Sequence, residues 1–530
     1  MKRIVLSLFI VIAVVLVGGT NAFADSGGKC GDNAYWQLDD YGNLTILGSG
    51  RLYDSPWKYE TRKDFRTVVI QGGITSIGNH SFSQCEELIS VTMPDSLASI
   101  GENAFSYCSG LTSITIPKNV TSIGNNAFQA CSGLTSLTIP DRVSSIGWYA
   151  FADCTGLSRI IIPGRVTSIQ QGAFVGCKKL KTAGPIGGNY NYQFGWTNKI
   201  PKWAFDNCES LNSVVIPDGI VSIGDAAFYG CSGLSSISLP DSITSIGKSV
   251  FGKCTSLIDI TLSKNTTSIP NYAFEGCINL KSVPIPNSVL SIGDYAFHSC
   301  SGLNSIAIPE SVIAIGKQAF FRCTSLTNVI IPSSVMSIGL EAFYDCKGLL
   351  TAGPIGGGDY NIQYGWSKSF PEAAFHTCTS LISITMSNTV TAIGKTAFQS
   401  CISLRDVYFI GSSEQWETIT IGQGNNSLVN ATIHFVLPDL ILPSALTTVE
   451  AEAFTGGAFT YVKLPENIAV ISAYAFSDCQ NLTYIYIPEV EMDINSLVAG
   501  DMKKLIALGK AGGYAKSYAR ECNFFFIAIV

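Results

Sequence analysis

The chain is predicted to be a β-rich repeat solenoid, about 16 coils of 23 residues with parallel stacked strands, short helical turns and terminal caps. Three observations carry that reading. The phrase CSGLTSITIPKNVTSIGNNAF, Cys108–Phe128, returns as CSGLTSLTIPDRVSSIGWYAF, Cys131–Phe151. Cysteines 85, 108, 131, 154 and 177 lie 23 apart, as do 208, 231, 254, 277, 300, 323 and 346. A phenylalanine holds one slot throughout, at 82, 105, 128, 151, 174, 205, 228, 251, 274, 297, 320, 343, 375, 398, 454 and 476.

Within one coil the apolar slots are Leu111, Ile114, Ile116, Val120, Ile123, Phe128 and Cys131. Ile114 and Ile116 alternate with Thr115, which gives a strand with one face turned inward. Leu111, Ile114 and Ile116 follow an L-x-x-L-x-L spacing. Pro117 ends the strand, because it has no N–H for a ladder. Val120 and Ile123 start a second extended piece, and Gly124 permits a turn. The segment NNAFQAC has room for about one helical turn. Phe128 plugs the interior. No coil folds alone: ordering its backbone costs roughly 1–2 kcal/mol per residue, while each apolar side chain returns roughly 1.5–3 kcal/mol only when covered on both sides. Stacked neighbours supply that cover.

In chain order, residues 1–24 read as a secretory signal. Lys2 and Arg3 precede the apolar run Ile4 to Val17, and Ala22-Phe23-Ala24 is the cleavage site. The run is short for a spanning helix. Residues 25–67 form an N-terminal β cap, with alternating strands in CGDNAYWQLDDYGNLTILGSG. Repeats fill 68–410, with long variant coils near 178–205 and 347–375. Residues 411–437, which contain SEQWETITIG, read as an inserted non-repeat segment. Repeats resume over 438–490, where Gly457 stands in the cysteine slot. Residues 491–530 form a C-terminal cap, a short helix followed by a closing strand.

Apolar residues make up 46% of the chain and charged residues 14%, too apolar for disorder and poor in surface charge. Serine and threonine must cover the outside. Losing Lys2 and Arg3 with the leader takes the formal charge from −6 to −8, with 31 basic and 39 acidic residues left. An acidic chain without a basic stripe is a poor nucleic-acid binder. No transmembrane segment is expected after the leader is removed.

Seventeen cysteines in an exported chain invite a disulfide framework. Their regular slot argues instead for small buried hydrophobes, although pairing between stacked neighbours stays open geometrically. One cysteine per coil without a companion histidine makes no metal cluster, and no metal or cofactor is expected. Catalysis finds little support. His298 and His376 precede Cys300 and Cys378 in FHSC and FHTC, but those cysteines are expected to point inward.

Two long loops are the candidate ligand site. TAGPIGGNYNYQFGWTNKIPKWAF, residues 182–205, alternates Tyr190, Tyr192, Phe194 and Trp196. TAGPIGGGDYNIQYGWSKSFPEAAF, residues 351–375, places Tyr360, Ile362, Tyr364 and Trp366 in the same slots. Alternation puts each set on one face. Exposed, that face is an aromatic platform for a sugar or a protein side chain; turned inward, it seals the solenoid, the commoner fate of aromatics. The strand surface is a second candidate. Thr112, Ser113, Thr115, Thr135, Ser136, Thr138, Ser235, Ser236 and Ser238 face solvent on this reading. Arg159, Ile161, Val215, Asp259 and Pro284 interrupt the columns, which argues against ice binding.

The phrase L-x-S-I-x-I-P-x-x-V-x-S-I-G-x-x-A-F-x-x-C, covering about residues 68–488, resembles the BspA-type (Treponema-type) bacterial leucine-rich repeat family. That resemblance implies a parallel-stranded leucine-rich repeat array in an exported or cell-surface protein. It also implies an adhesin-like partner, an extracellular protein of matrix or plasma type or a glycan. A structural scaffold of the envelope is the alternative, and a carbohydrate-active enzyme the lesser one.

Overall fold

In the computed structural model, the residues described are 26–57, 62–183, 198–353 and 369–436, except 164, 165, 167, 217, 333, 388 and 389, together with shorter stretches between 440 and 528. The leader and most of both long loops lie outside them. The chain divides into two compact units, residues 1–197 and 198–530. Each is a stack of coils on parallel strands.

The first unit opens with three strands. β1 (Ser26–Lys29) and β2 (Gly31–Leu38) pair antiparallel, as do β2 and β3 (Asn43–Leu52). β3 then turns the cap into the solenoid. Its first half pairs parallel with Thr67–Ile70, and its second half with Ile74–Ile77 across a register shift. It therefore feeds two faces of the first coil. On one face, Ser76, Ser99, Ser122, Ser145 and Ser168 stand in register on successive strands. On the other, Ser136–Thr138 pairs with Arg159–Ile161.

The inward slots Leu111, Ile114, Ile116, Val120, Ile123, Phe128 and Cys131 are all buried, as expected, whereas the plug Phe454 in the later coils is half-buried. The ladder itself lapses over 114–116, where no strand forms although both isoleucines stay inside. Over 282–285 a similar gap has a clear cause: Pro284 supplies no N–H. Burial, rather than the hydrogen-bond ladder, holds these coils in phase.

The phenylalanines stack coil upon coil in an unbroken run in each unit, from 82 to 174 in the first and from 205 to 398 in the second. Rings 82 to 174 are spaced 5.1–5.7 Å apart with planes within 9°. In the second unit, rings 205 to 398 are spaced 5.1–5.8 Å apart. Each ring is covered by its neighbours, as the entropy argument requires.

The short helical turn expected over NNAFQAC is not a helix. Asn126 and Ala130 adopt positive φ, 52° and 57°, which breaks helical repetition. The reason lies between coils. Asn126, Phe128 and Ala130 donate their N–H groups to Trp148, Ala150 and Ala152 of the next coil, at 2.7–2.8 Å. The residues between them, Ala127 and Gln129, bond three residues back within the turn. Each left-handed residue costs roughly 1–2 kcal/mol. Three bonds at about 1 kcal/mol each offset the two of them, and the buried ring tips the balance.

The glycine that opens this turn is a packing requirement. A Cβ on Gly124 would sit 2.6 Å from the Gly101 carbonyl carbon of the preceding coil.

The segment read as a non-repeat insert is itself a coil. Asp406–Ile410 pairs in register with Thr432–Val436, and Ala392–Ile393 with Thr420–Ile421. Asn425 takes the place of the plug phenylalanine's turn. Its Oδ1 accepts the Phe398 N–H at 2.9 Å, and its Nδ2 donates to the Gly394 and Gly422 carbonyls. A short helix, Ser413–Glu417, begins at a capping box formed by Ser412 and Gln415. At the chain's end, Phe525–Ala528 pairs with Ile506–Gly509 as a closing strand. The helix expected before it lies outside the described residues.

Candidate recognition surface

The seven aromatic residues singled out in the long loops, Tyr190, Tyr192, Phe194, Trp196, Tyr360, Tyr364 and Trp366, lie outside the described residues. The flanks of the second loop are described. The chain leaves the strand face at Thr351–Ala352, which pairs with Ser383 and Ile384 of the next coil. It returns on the second face at Ser369–Phe370, paired with Ala392–Ile393. The loop therefore replaces the short link between the two faces of one coil. Leu350 and Ile382, 43% and 42% exposed, adjoin its departure point on neighbouring strands.

The strand surface follows the expected alternation. Thr112, Ser113, Thr115, Thr135, Ser136, Thr138, Ser235, Ser236 and Ser238 are all exposed. The predicted interruptions Arg159, Val215, Asp259 and Pro284 are exposed among them, and Ile161 is half-buried. Part of this surface was missed by sequence reasoning, because it belongs to the coil mistaken for an insert. There His434 Nε2 lies 2.7 Å from Asp406 Oδ1, and the Tyr408 ring stacks on the imidazole at 4.8 Å. The capping-box spacing of Ser412 and Gln415 was the signal that could have revealed ordered structure here.

On the turn corner of the second unit, a band of rings crosses five coils. Tyr272 stacks on Tyr295 at 4.7 Å, His298 on Phe321 at 4.8 Å and Phe321 on Tyr344 at 4.9 Å. His376 meets Tyr344 edge-on. Burial among these rings pulls the His298 pKa below its ordinary value. Their faces are spent on one another, so this band reads as lateral packing.

The cysteines point inward, as expected. Cys300 and Cys378 donate their thiols to the carbonyls of Phe274 and Phe343 at 3.0 and 3.2 Å, away from His298 and His376. All sixteen described cysteines are buried. Burial pushes the Cys131 and Cys401 thiols up to about 12. Among the described residues, no group of three or more His, Cys, Asp or Glu is placed to hold a metal. No described helix is long and apolar enough to cross a membrane.

Parallel coils with this inward L-x-x-L-x-L face define a leucine-rich repeat protein. The BspA type leucine rich repeat region matches residues 59–181, 196–304, 267–353, 290–420 and 430–498, and the chain belongs to that family. A leucine-rich repeat protein from Bacteroides ovatus is similar in structure. It is 25% identical with a TM-score of 0.55, over 76% of this chain and 98% of the other. A leucine rich cell surface protein from Faecalibacterium prausnitzii is 23% identical with a TM-score of 0.41, over the same shares. Curated proteins give no match.

Proposed function

We propose that this is an exported, non-catalytic recognition protein of adhesin type. Its ligand is an extracellular protein of matrix or plasma type, or a glycan. The supporting observation is the division between inner and outer slots. Leu134, Leu137, Ile139 and Phe151 are buried and hold the coil, whereas Thr135, Ser136 and Thr138 beside them are exposed. Outer positions carry no packing duty, so their chemistry can vary without cost to the fold. Repeated at about 4.8 Å per strand, they offer an extended partner many weak contacts. The two aromatic loops are the discrete site of this reading.

The test is to display the mature chain to arrays of glycans and of matrix and plasma proteins. Saturable binding to one class supports the reading. Turnover of an arrayed glycan would favour the carbohydrate-active enzyme. Silence on both arrays would favour the envelope scaffold.

A further inference from the structure

The first unit contains an aromatic platform that lies in neither long loop. Trp148 follows Gly147 at the start of a turn and is 55% exposed. Its indole is nonetheless held in place. Nε1 donates to Gln170 Oε1 of the next coil at 2.8 Å. Gln170 Nε2 in turn donates to Ser168 Oγ at 2.7 Å. The backbone N–H of Trp148 donates to Asn125 Oδ1 of the preceding coil at 3.0 Å.

Both partners depart from the repeat, at adjacent slots of successive coils. The slot of Gln170 is glycine in the four preceding coils of this unit, at 78, 101, 124 and 147. The slot of Trp148 is Asn79, Glu102 and Asn125 in the coils before it. Neither substitution is needed for the stack: Gln170 still donates its N–H to Ile146 at 3.0 Å. The neighbouring residues repeat the arrangement. Gln171 Nε2 donates to Tyr149 Oη at 3.4 Å, and the Tyr149 ring lies where a Cβ on Gly172 would be. A Trp-Tyr pair on one coil is thus pinned by a Gln-Gln pair on the next.

We propose that this platform binds a neutral pyranose, the sugar's C–H face lying on the indole of Trp148. An indole face is electron-rich and attracts the weakly positive C–H groups of a sugar ring. The frame around it is neutral: Asn125, Gln170, Gln171, Ser168 and Tyr149 offer amide and hydroxyl groups that match sugar hydroxyls as donors and acceptors. An amide oxygen has two lone pairs, so Gln170 Oε1 can accept a sugar hydroxyl while it holds the indole. No charged side chain takes part in these bonds, which selects neutral sugars over acidic ones. The hydrogen bond to Gln170 has already removed the indole's rotational freedom, so binding loses little entropy. The inference rests on the recognition reading but places the glycan site outside both loops.

The experiment uses the full mature chain labelled with fluorotryptophan and followed by fluorine NMR. Trp148→Phe and Trp148→Ala assign the Trp148 signal. Trp196→Phe and Trp366→Phe assign those of the loops. The probes are the methyl glycosides of glucose, galactose and N-acetylglucosamine, with methyl glucuronide as the acidic control. The Trp148 signal is expected to move in a saturable way with at least one neutral glycoside and not with the glucuronide. Saturation-transfer signals from that sugar should weaken roughly tenfold in Trp148→Ala and fall in Gln170→Gly, which frees the indole and restores the repeat glycine. An unmoved Trp148 signal overturns the proposal. If the Trp196 or Trp366 signals move instead, the recognition reading stands and this site falls. An equal response to the glucuronide also overturns it.

Discussion

The thiol of Cys131 donates a hydrogen bond to the carbonyl oxygen of Phe105, one coil back, at 3.1 Å. The same bond joins Cys154 to Phe128, Cys254 to Phe228 and Cys401 to Phe375. The slot therefore asks for a small apolar side chain that also carries a weak donor, which cysteine provides. The thiolate is the reactive form, and burial holds Cys131 near 12, so these thiols are expected to be inert in the folded protein. Alkylation without reductant should be slight in native buffer and extensive in denaturant. Slight labelling in denaturant as well would show that the rungs are cross-linked.

The plug rings should be the most sensitive positions in the fold. Phe128 is fully buried between Phe105 and Phe151, 5.4 Å from each. Phe128→Ala removes a ring from a site whose backbone is tied to both neighbouring coils, so little collapse can fill the cavity. A loss of about 3–5 kcal/mol is expected from denaturant unfolding. A loss below about 1 kcal/mol would mean that the stack adapts around the gap.

Asp206 introduces a pH dependence. It is half-buried, its Oδ1 has no hydrogen-bond partner, and burial pushes its pKa up to about 6. A carboxyl raised in the folded state favours folding while protonated. Its contribution is full below the ordinary carboxylate range and is lost as pH rises to about 6. Asp206→Asn should remove that loss and stabilise the chain at neutral pH by about 1 kcal/mol, a figure kept small because the side chain is partly screened by water. Unfolding midpoints measured between about pH 4 and pH 7.5 check it. A wild type and variant that fall in parallel across that range would rule Asp206 out as the cause.

The long loops make a separate prediction. If Trp196 and Trp366 bind ligand, Trp196→Ala with Trp366→Ala abolishes array binding and leaves the unfolding midpoint nearly unchanged. If they seal the coil, each change costs roughly 3–5 kcal/mol. Full binding by a stable double variant would place the site elsewhere on the chain.

Export is expected to remove the first 24 residues. N-terminal sequencing of secreted material should begin at Asp25, and retention of Lys2 and Arg3 on the released protein would refute the cleavage site.

The sequence by itself determined the inward half of this protein. A period of 23, a phenylalanine and a cysteine in fixed slots, and alternation around Thr115 suffice to say which side chains are buried, because burial in a stack depends only on position within the coil. Bonds between coils were decided by the tertiary structure. Nothing about Ala130 or Trp203 as residue types announces positive φ; their N–H groups turn because the carbonyl that receives them belongs to the next coil. The coil at 411–437 was hidden for the same reason: Asn425 does the work of a plug turn through side-chain bonds to Phe398 and Gly394, a role visible only once those backbones are adjacent. Trp148 and Gln170, separated by 22 residues, become partners only when two coils are stacked in register.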